Sequence, residues 1–380
     1  MVFASSGENP LAVEQPLRLD QFMARANALY YAQHDPFADF TTAPEISQLF
    51  GEMIALWCIS TWHAMGKPKQ VLLAEAGPGR GTLMADCLRV ISRVQPALYQ
   101  AISIHLVETS NRLRAIQRQA LLSYADRSQN WHDTCTALPD GALIFIANEF
   151  LDALPIRQFR VLTPEWKERY VHKEQWEEHS VAQHPEALRW VVEAEEGKVM
   201  DRRAPIQEFF FEKDIPEGSI IECNEPAQQV ISHLAQRLQH SQGVALSQGA
   251  ALFIDYGFTH FAFGDSLQAL YQGKPSSPLH HAGEADLTAH VDFYTLGKIA
   301  RFYGCQTGFA EQAQFLSQLG IAVRLSQLVT GKAEDVRQTI IAGYNRLAGK
   351  GADQMGELFK VMVMASPALQ GIIGCGTWGE

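Results

Sequence analysis

Residues 71–82 read Val-Leu-Leu-Ala-Glu-Ala-Gly-Pro-Gly-Arg-Gly-Thr, and this stretch decides the fold. A short apolar run ends at Glu75, glycines follow at alternate positions (Gly77, Gly79 and Gly81), and residues 83–88 have a helical pattern. The stretch predicts a strand, a tight turn and the start of a helix. Glycine permits positive φ and a close approach of ligand to backbone, while a helix start adds unpaired N–H groups. We therefore interpret the turn as a ligand-binding loop.

Spacing and charge indicate which ligand this loop binds. The dinucleotide fingerprint is G-x-G-x-x-G with a pyrophosphate at the helix start, whereas the spacing here is G-x-G-x-G and the carboxylate of Glu75 would repel a pyrophosphate. A P-loop needs a lysine before its Ser or Thr, and Thr82 follows a glycine. The carboxylate suits a cationic ligand without phosphate, such as S-adenosyl-L-methionine. A glycine turn without any ligand is the alternative for this motif taken alone.

The next predicted strand, residues 102–107, ends at Glu108 and is followed by a helical pattern over residues 111–117. In open α/β sheets ligands bind at the carboxyl ends of the strands, where an acid closing the second strand can accept both ribose hydroxyls of an adenosine. We expect Glu108 to do so. A solvated glutamate at a strand end is the alternative interpretation.

Six segments of the chain together resemble the MidA family of class I S-adenosylmethionine-dependent methyltransferases. They are Asp39–Gln48, Glu75–Asp86, Ala147–Pro155, Asp255–Gly257, Gly264–Ala269 and Gly283–Phe293. The resemblance implies an α/β fold with a Rossmann-like doubly wound sheet and S-adenosyl-L-methionine as cofactor. The mitochondrial member of the family is an arginine methyltransferase that assists assembly of respiratory complex I. The implied substrate is therefore an arginine side chain of a complex I (NADH:ubiquinone oxidoreductase) subunit.

We expect four segments along the chain. Residues 1–66 form an N-terminal helical segment covering the site, and residues 67–155 form the Rossmann-like core that binds the cofactor. Residues 156–210 form an inserted β-rich lobe, because polar and apolar residues alternate at 157–161, 166–171 and 188–192. Residues 211–373 form the rest of the catalytic core and a helical C-terminal part, with a last core element at 356–362. The insert is expected to build a substrate wall, and a purely structural hairpin is an equal alternative.

The resemblance also suggests cofactor contacts further along the chain. In class I methyltransferases the loop after the third strand borders the adenine, which makes His132 and Asp133 candidates, although Asp133 equally suits a helix or turn cap. The end of the fourth strand faces the transferred methyl group, which makes Asn148 and Glu149 candidates.

Methyl transfer to arginine sets a chemical requirement at this strand end. A sulfonium methyl group is displaced in line by a nucleophile with a lone pair, but guanidinium is protonated at neutral pH and its lone pairs are delocalised. Carboxylates must orient it and hold its charge away from the attacking nitrogen. Glu149 and Asp152 follow the fourth strand and Asp255 ends the strand 251–254, so these are the predicted catalytic residues. A cap on the following helix is the alternative for Glu149.

A Thr-Ala-Pro-Glu sequence at 42–45 predicts a capping box, with Thr42 as N-cap, Pro44 in the first turn and Glu45 at the third helical position. The helix behind it is expected to run from Ile46 to Met65. In the family the Thr-Ala-Pro-Glu segment lies near the cofactor, which makes Thr42 and Ser47 further candidates.

A polar block at 286–292 is expected in a turn and helix start. We interpret Asp286 and Thr288 as caps, and His290 or Asp292 as lining a substrate pocket.

Composition narrows the partners. A formal net charge of −11 argues against nucleic acid and is compatible with a basic protein or peptide, although solubility alone is the preferred explanation of the acidity. The six cysteines never form C-x-x-C and the histidines show no metal-binding spacing, so neither disulfides nor a metal are expected.

We expect neither a targeting peptide nor a membrane-spanning segment. The N-terminus lacks a signal-peptide or transit-peptide pattern, and no apolar run is long enough to span a bilayer. We expect a cytoplasmic protein without a transmembrane segment, and we include a homodimer among the expected partners. A non-catalytic assembly factor that retains the cofactor pocket, and a small-molecule methyltransferase, are the alternative functions.

Overall fold

The computed structural model describes residues 14–34, 41–162, 165–181, 215–239, 248–351 and 353–374, which fold as two compact units. The first unit contains the described parts of Met1–Asp39, Ala153–Pro226 and Ala262–Ala289. The second contains the described parts of Phe40–Asp152, Ala227–Phe261 and His290–Glu380. The four segments expected from the sequence, and the covering role of the first, stay predictions.

In the described residues the helices are α1 (Leu19–Gln33), α2 (Ala43–Ile46), α3 (Gln48–Ala64), α4 (Thr82–Val94), α5 (Pro96–Ala101), α6 (Asn111–Ala120), α7 (Glu225–Gln239), α8 (Phe293–Phe302), α9 (Gln312–Gln318), α10 (Ile321–Val329), α11 (Glu334–Ala348) and α12 (Met355–Leu358). The strands are β1 (Leu17–Arg18), β2 (Val71–Ala76), β3 (Ile102–Val107), β4 (Gln129–His132), β5 (Leu143–Asn148), β6 (Arg157–Val161), β7 (Trp166–His172), β8 (Gln175–Val181), β9 (Ile220–Cys223), β10 (Gly249–Phe258), β11 (Gln268–Tyr271), β12 (Lys274–Ser276), β13 (Asp286–Thr288), β14 (Val291–Asp292), β15 (Gln306–Glu311) and β16 (Phe359–Ala365).

The second unit is built on one large sheet with the order β15-β16-β10-β5-β2-β3-β4, and β14 pairs with the end of β10. The strands β10, β5, β2, β3 and β4 are parallel, and β16 runs antiparallel between β10 and β15. The chain proceeds outward from β2 to β4 and then returns to β5 on the other side of β2. This confirms the predicted doubly wound sheet, and its topological switch point lies between β2 and β5, where ligands bind at the carboxyl ends of the strands.

Burial explains why these segments are strands. Every residue of β2 and β5 is buried, as expected for parallel strands covered on both faces. The C-terminal core element differs from the expectation: α12 ends at Leu358, and residues 359–365 are the strand β16. The run from Val361 to Ala365 is buried throughout, since β16 lies inside the sheet, and this burial favours a strand.

The helix predicted from Ile46 to Met65 is interrupted at Ser47, which is extended (φ −161°). The Ser47 hydroxyl accepts a hydrogen bond from the N–H of Leu49 at 3.3 Å and so caps α3. Thr42 occupies the N-cap position of α2, but its side chain makes no capping hydrogen bond. The Glu45 carboxylate instead accepts a hydrogen bond from the Thr82 hydroxyl at 2.5 Å. The predicted capping box is therefore wrong.

The first unit contains antiparallel sheets. Strands β6 and β7 match the predicted alternation, and residues 188–192 lie outside the described residues. The sheet has the order β1-β7-β6-β9, with β8 paired to β7, so it also includes β1 and β9 from outside the predicted insert. Ile221 and Cys223 are buried at alternate positions of β9, which suits a half-buried strand.

Asp286 and Thr288 are not caps, because both lie in strand β13. Asp286 Oδ1 accepts a hydrogen bond from the Tyr31 hydroxyl at 2.8 Å. The cap in this block is Asp292, which accepts hydrogen bonds from the N–H and hydroxyl of Thr295 at the start of α8.

In the part of the chain that the structure describes, no helix is long and apolar enough to cross a membrane. The five described cysteines are free and buried.

Candidate functional site

The glycine turn joins β2 to α4 at the topological switch point. Gly77, Gly79 and Gly81 all have positive φ (63°, 53° and 83°). A Cβ on Gly77 would lie 2.9 Å from Cδ2 of Phe150, so the backbone and this ring approach closely. Gly81 is the N-cap of α4 and has no side chain to cap the helix. The sequence therefore leaves the start of α4 to be capped from elsewhere.

Glu75 supplies that cap from the end of β2. Its carboxyl group accepts a hydrogen bond from the N–H of Met84, in the first turn of α4. The residue is 3% exposed, and its Oε2 finds no hydrogen-bond donor among the described residues. Burial raises the pKa of Glu75 to about 8, against the opposing effect of the Met84 N–H. A buried acceptor without a donor points to a ligand that donates a hydrogen bond at this place.

This carboxyl group gives the free protein a specific pH dependence. Because the pKa of Glu75 rises from 4.5 to about 8 on folding, the folded state binds the extra proton between these values, so the free energy of unfolding falls as pH rises through that window. We expect Glu75→Gln, which keeps the acceptor for Met84, to remove a slope of up to about 1.4 kcal/mol per pH unit. Urea unfolding of the ligand-free protein at pH 5 to 8 measures it, and parallel slopes for both proteins would contradict it.

Glu108 lies at the end of β3, where its carboxylate is held at both oxygens. Oε1 accepts a hydrogen bond from the N–H of Ser110 at 2.7 Å, and Oε2 accepts one from Gln117 Nε2 at 3.3 Å. Burial raises the pKa of Glu108, while these hydrogen bonds oppose the shift. The N–H of Thr109 donates a third hydrogen bond, so the carboxylate keeps at least one acceptor position for a hydroxyl.

His132 ends β4 and Asp133 follows it, and the two side chains have different surroundings. The Asp133 side chain is 78% exposed and forms an ion pair with Arg114 at 2.6 Å. Arg114 Nε also donates to the main-chain oxygen of Glu108 at 2.7 Å, and thereby links Asp133 to the end of β3. His132 Nε2 lies 2.9 Å from Nδ1 of His105, and the two rings stack. The His132 ring is thus engaged by His105, and adenine contact stays a prediction for both residues.

Asn148 is the last residue of β5, and Glu149 begins the turn that follows it. Glu149 has a φ of +50°, and its N–H donates to the main-chain oxygen of Ile254 at 2.9 Å. Its Oε1 accepts hydrogen bonds from the N–H of Ala43 at 2.9 Å and from Asn148 Nδ2 at 3.0 Å. Glu149 therefore caps α2, rather than a helix following it in sequence. Asn148 Oδ1 is buried and has no partner among the described residues.

The carboxyl groups of Glu149, Asp152 and Asp255 lie close enough to influence one another. Burial raises the pKa of Glu149 to about 7, with the Ala43 N–H opposing the shift and the negative charge of Asp152 adding to it. Burial also raises the pKa of Asp255 well above its usual value, as do the charges of Asp152 and Glu149. The structure thus brings the three predicted catalytic residues to one turn.

Asp255 is occupied by backbone groups. Its Oδ2 accepts hydrogen bonds from the N–H groups of Phe150, Leu151 and Asp152 at 3.2, 3.0 and 3.2 Å, and its Oδ1 accepts one from Tyr256 at 3.0 Å. It is 1% exposed. This arrangement fixes the turn after β5, which carries Glu149 and Asp152.

Short-range sequence patterns missed two residues of this region. Glu45 joins α2 to Thr82 at the start of α4, and Gln117 joins the glycine turn to Glu108. The Thr-Ala-Pro-Glu pattern predicts a local cap and not a contact with α4, and a single glutamine in a polar helix carries no recognisable signal. His290 lies against Tyr256 with ring centroids 5.5 Å apart, and its place in a substrate pocket stays a prediction.

Comparison with known proteins gives the family. A family model described as S-adenosyl-L-methionine-dependent methyltransferase matches residues 53–309, more than half of the chain. The chain belongs to this methyltransferase family. This chain is 34% identical to protein arginine methyltransferase NDUFAF7, mitochondrial, of Xenopus tropicalis. The match covers 95% of this chain and 83% of the relative. The human protein of the same name is 33% identical over 88% of this chain and 76% of its own.

A solved structure supports the same assignment. This chain is 26% identical to a Burkholderia thailandensis protein, a likely methyltransferase, that was crystallised with bound S-adenosyl-homocysteine. The two structures match with a TM-score of 0.73, over 96% of this chain and 91% of the Burkholderia chain. These findings confirm the MidA-family resemblance and the fold class. The names of the relatives also place them in mitochondria, so the predicted cytoplasmic location is wrong.

The cofactor of the methyltransferase is S-adenosyl-L-methionine, and the residues at the switch point fit it. The unpaired oxygens of Glu75 and Asn148 suit the ammonium group, the positive-φ glycines let a ligand approach the backbone, and no phosphate-binding lysine is present in the turn. Among the described residues no group of three or more His, Cys, Asp or Glu side chains is placed to hold a metal ion.

Proposed function

We propose that the methyltransferase modifies an arginine side chain of a protein, and that Glu149 and Asp152 act on the guanidinium group. The observation that supports this most directly is the position of the turn after β5 (residues 149–152), called the acidic turn below because it carries Glu149 and Asp152. Phe150, between the two acids, lies against Gly77 of the cofactor loop. The acidic turn and the loop that binds the methyl donor are therefore neighbours within one unit.

The chemistry follows from the charges of this turn. S-adenosyl-L-methionine, when bound, supplies an electrophilic methyl group. Glu149 and Asp152 would accept hydrogen bonds from the guanidinium and hold its positive charge away from the attacking nitrogen. A carboxyl group with a pKa of about 7, as Glu149 has, is also suited to take up the proton that the methylated nitrogen loses.

Asp255 contributes differently in this proposal. Because its oxygens accept main-chain N–H groups, it is a positioning residue that shapes the turn for Glu149 and Asp152. The relatives named protein arginine methyltransferase support a protein substrate. We further propose, from the family resemblance, that the substrate is a complex I subunit, that methylation supports assembly of the complex, and that the protein forms a homodimer.

We also propose that Glu108 binds the ribose of the cofactor, and this part is tested by binding alone. Glu108→Ala is expected to weaken S-adenosyl-L-methionine binding by roughly 1–3 kcal/mol, the range for a lost hydrogen bond to a charged group. Calorimetric titration of both proteins measures the difference, with the exposed Glu334→Ala as control. Equal affinity for wild type and Glu108→Ala would contradict the ribose assignment, and failure of the folded wild type to bind would contradict the cofactor itself.

A further inference from the structure

Gln117 is a fully buried amide of α6 whose polar atoms all have partners. Its Nε2 donates to the main-chain oxygen of Gly79 at 2.8 Å and to Glu108 Oε2 at 3.3 Å. Its Oε1 accepts a hydrogen bond from the indole N–H of Trp131 at 2.8 Å. Gln117 is 0% exposed, so its own amide has no access to solvent. One side chain thereby connects the glycine turn, the end of β3 and strand β4.

An amide is required by this set of partners. Gly79 and Glu108 present two acceptors and Trp131 presents one donor, and a primary amide offers two N–H donors and a carbonyl oxygen. Glutamate in this place would put a second carboxylate beside Glu108. An apolar side chain would leave three partly buried polar groups without this partner.

The amide also fixes the orientation of Glu108. One carboxylate oxygen is held by the N–H of Ser110 and the other by Gln117, so the carboxylate cannot rotate and its remaining lone pairs keep one direction. A group that is already ordered loses less conformational entropy when a ligand binds. The Trp131 ring is itself held by the guanidinium of Arg118, 4.6 Å from the ring centroid.

We propose that Gln117 is a positioning residue for the adenosine end of the cofactor, which sets recognition of the ribose hydroxyls by holding Glu108 and the Gly79 carbonyl in place. The proposal rests on the ribose-binding role proposed for Glu108.

The test measures binding of S-adenosyl-homocysteine and of its 2′-deoxy analogue by calorimetric titration. In the wild type, loss of the 2′-hydroxyl weakens binding. Gln117→Met is expected to weaken the binding of S-adenosyl-homocysteine about tenfold. It is also expected to reduce the loss of affinity that removal of the 2′-hydroxyl causes. Gln119→Met, an exposed position in the same helix, is the matched control.

A milder variant keeps the test decisive if Gln117→Met folds poorly. Trp131→Phe removes the donor to Gln117 and keeps a ring, and we expect the same direction with a smaller change of about threefold. Combined with Glu108→Ala, the Gln117→Met substitution is expected to add no further loss of affinity, because Gln117 acts on the ribose through Glu108.

The outcomes separate the two proposals. If Gln117→Met weakens binding of S-adenosyl-homocysteine and of its 2′-deoxy analogue equally, the role of Gln117 alone is overturned. The same holds if neither Gln117→Met nor Trp131→Phe weakens binding while Glu108→Ala does. Unchanged binding in Glu108→Ala overturns the ribose assignment, and the role of Gln117 with it.

Discussion

Replacing Glu149 by glutamine is expected to slow methyl transfer by about 10²–10⁴-fold, the usual contribution of a positioned acid–base group. Glutamine keeps an oxygen for the N–H of Ala43, so α2 stays capped, but it carries no charge to orient a guanidinium and cannot accept its proton. Affinity for the cofactor is expected to change by no more than about twofold, because the loss belongs to the transition state. The measurement is transfer of labelled methyl groups to protein at saturating cofactor.

Glu149→Asp and Glu334→Gln are the controls for this prediction. The aspartate keeps the charge on a shorter side chain and is expected to retain more activity than glutamine. The second variant changes an exposed carboxylate of α11 and is expected to behave as wild type. A Glu149→Gln protein that transfers methyl at the wild-type rate would exclude Glu149 from the chemistry.

Removing the Asp255 carboxylate is expected to give the largest loss of stability. Asp255→Ala leaves three N–H groups of the turn and the N–H of Tyr256 without this acceptor, and a buried donor left unsatisfied costs about 1–3 kcal/mol. We expect the free energy of unfolding to fall by about 3 kcal/mol or more, since partial rehydration prevents simple addition of these costs. Urea unfolding at pH 7 measures it.

Two variants sharpen the interpretation. Asp255→Asn keeps one oxygen for the three N–H groups on Oδ2, so it is expected to lose less stability than alanine. Asp133→Ala removes an exposed carboxylate from a surface ion pair and is expected to cost under about 1 kcal/mol. If Asp255→Ala were as stable as Asp133→Ala, the carboxylate would not be fixing the turn.

The fold was predictable where the deciding contacts are local. The strand, turn and helix around Glu75 and Gly77 follow from an apolar run, alternate glycines and a helical pattern within a few residues. The place of Glu108 directly after β3 was predictable from the apolar run that precedes it. These signals need no knowledge of which distant segments pack together.

The side-chain roles that the sequence did not predict depend on contacts between segments far apart in the chain. Asp255 binds the backbone of a turn about one hundred residues earlier, and this partner, more than its own neighbours, determines its role. Glu45 would have suited a capping box, but Thr82 of α4 competes for its carboxylate. Ser47 interrupts a helix that its flanking pattern favoured, because its hydroxyl caps the next one.

The proposed activity is tested most directly by following the methyl group. Purified protein is incubated with S-adenosyl-L-methionine labelled in the methyl group and with protein extract from cells that lack this chain, and the labelled products are identified by mass spectrometry and amino-acid analysis. We expect labelled methylarginine in a complex I subunit, present with wild type and strongly reduced with Glu149→Gln. Cofactor binding without label in protein arginine, or label confined to small molecules, would contradict the proposed function.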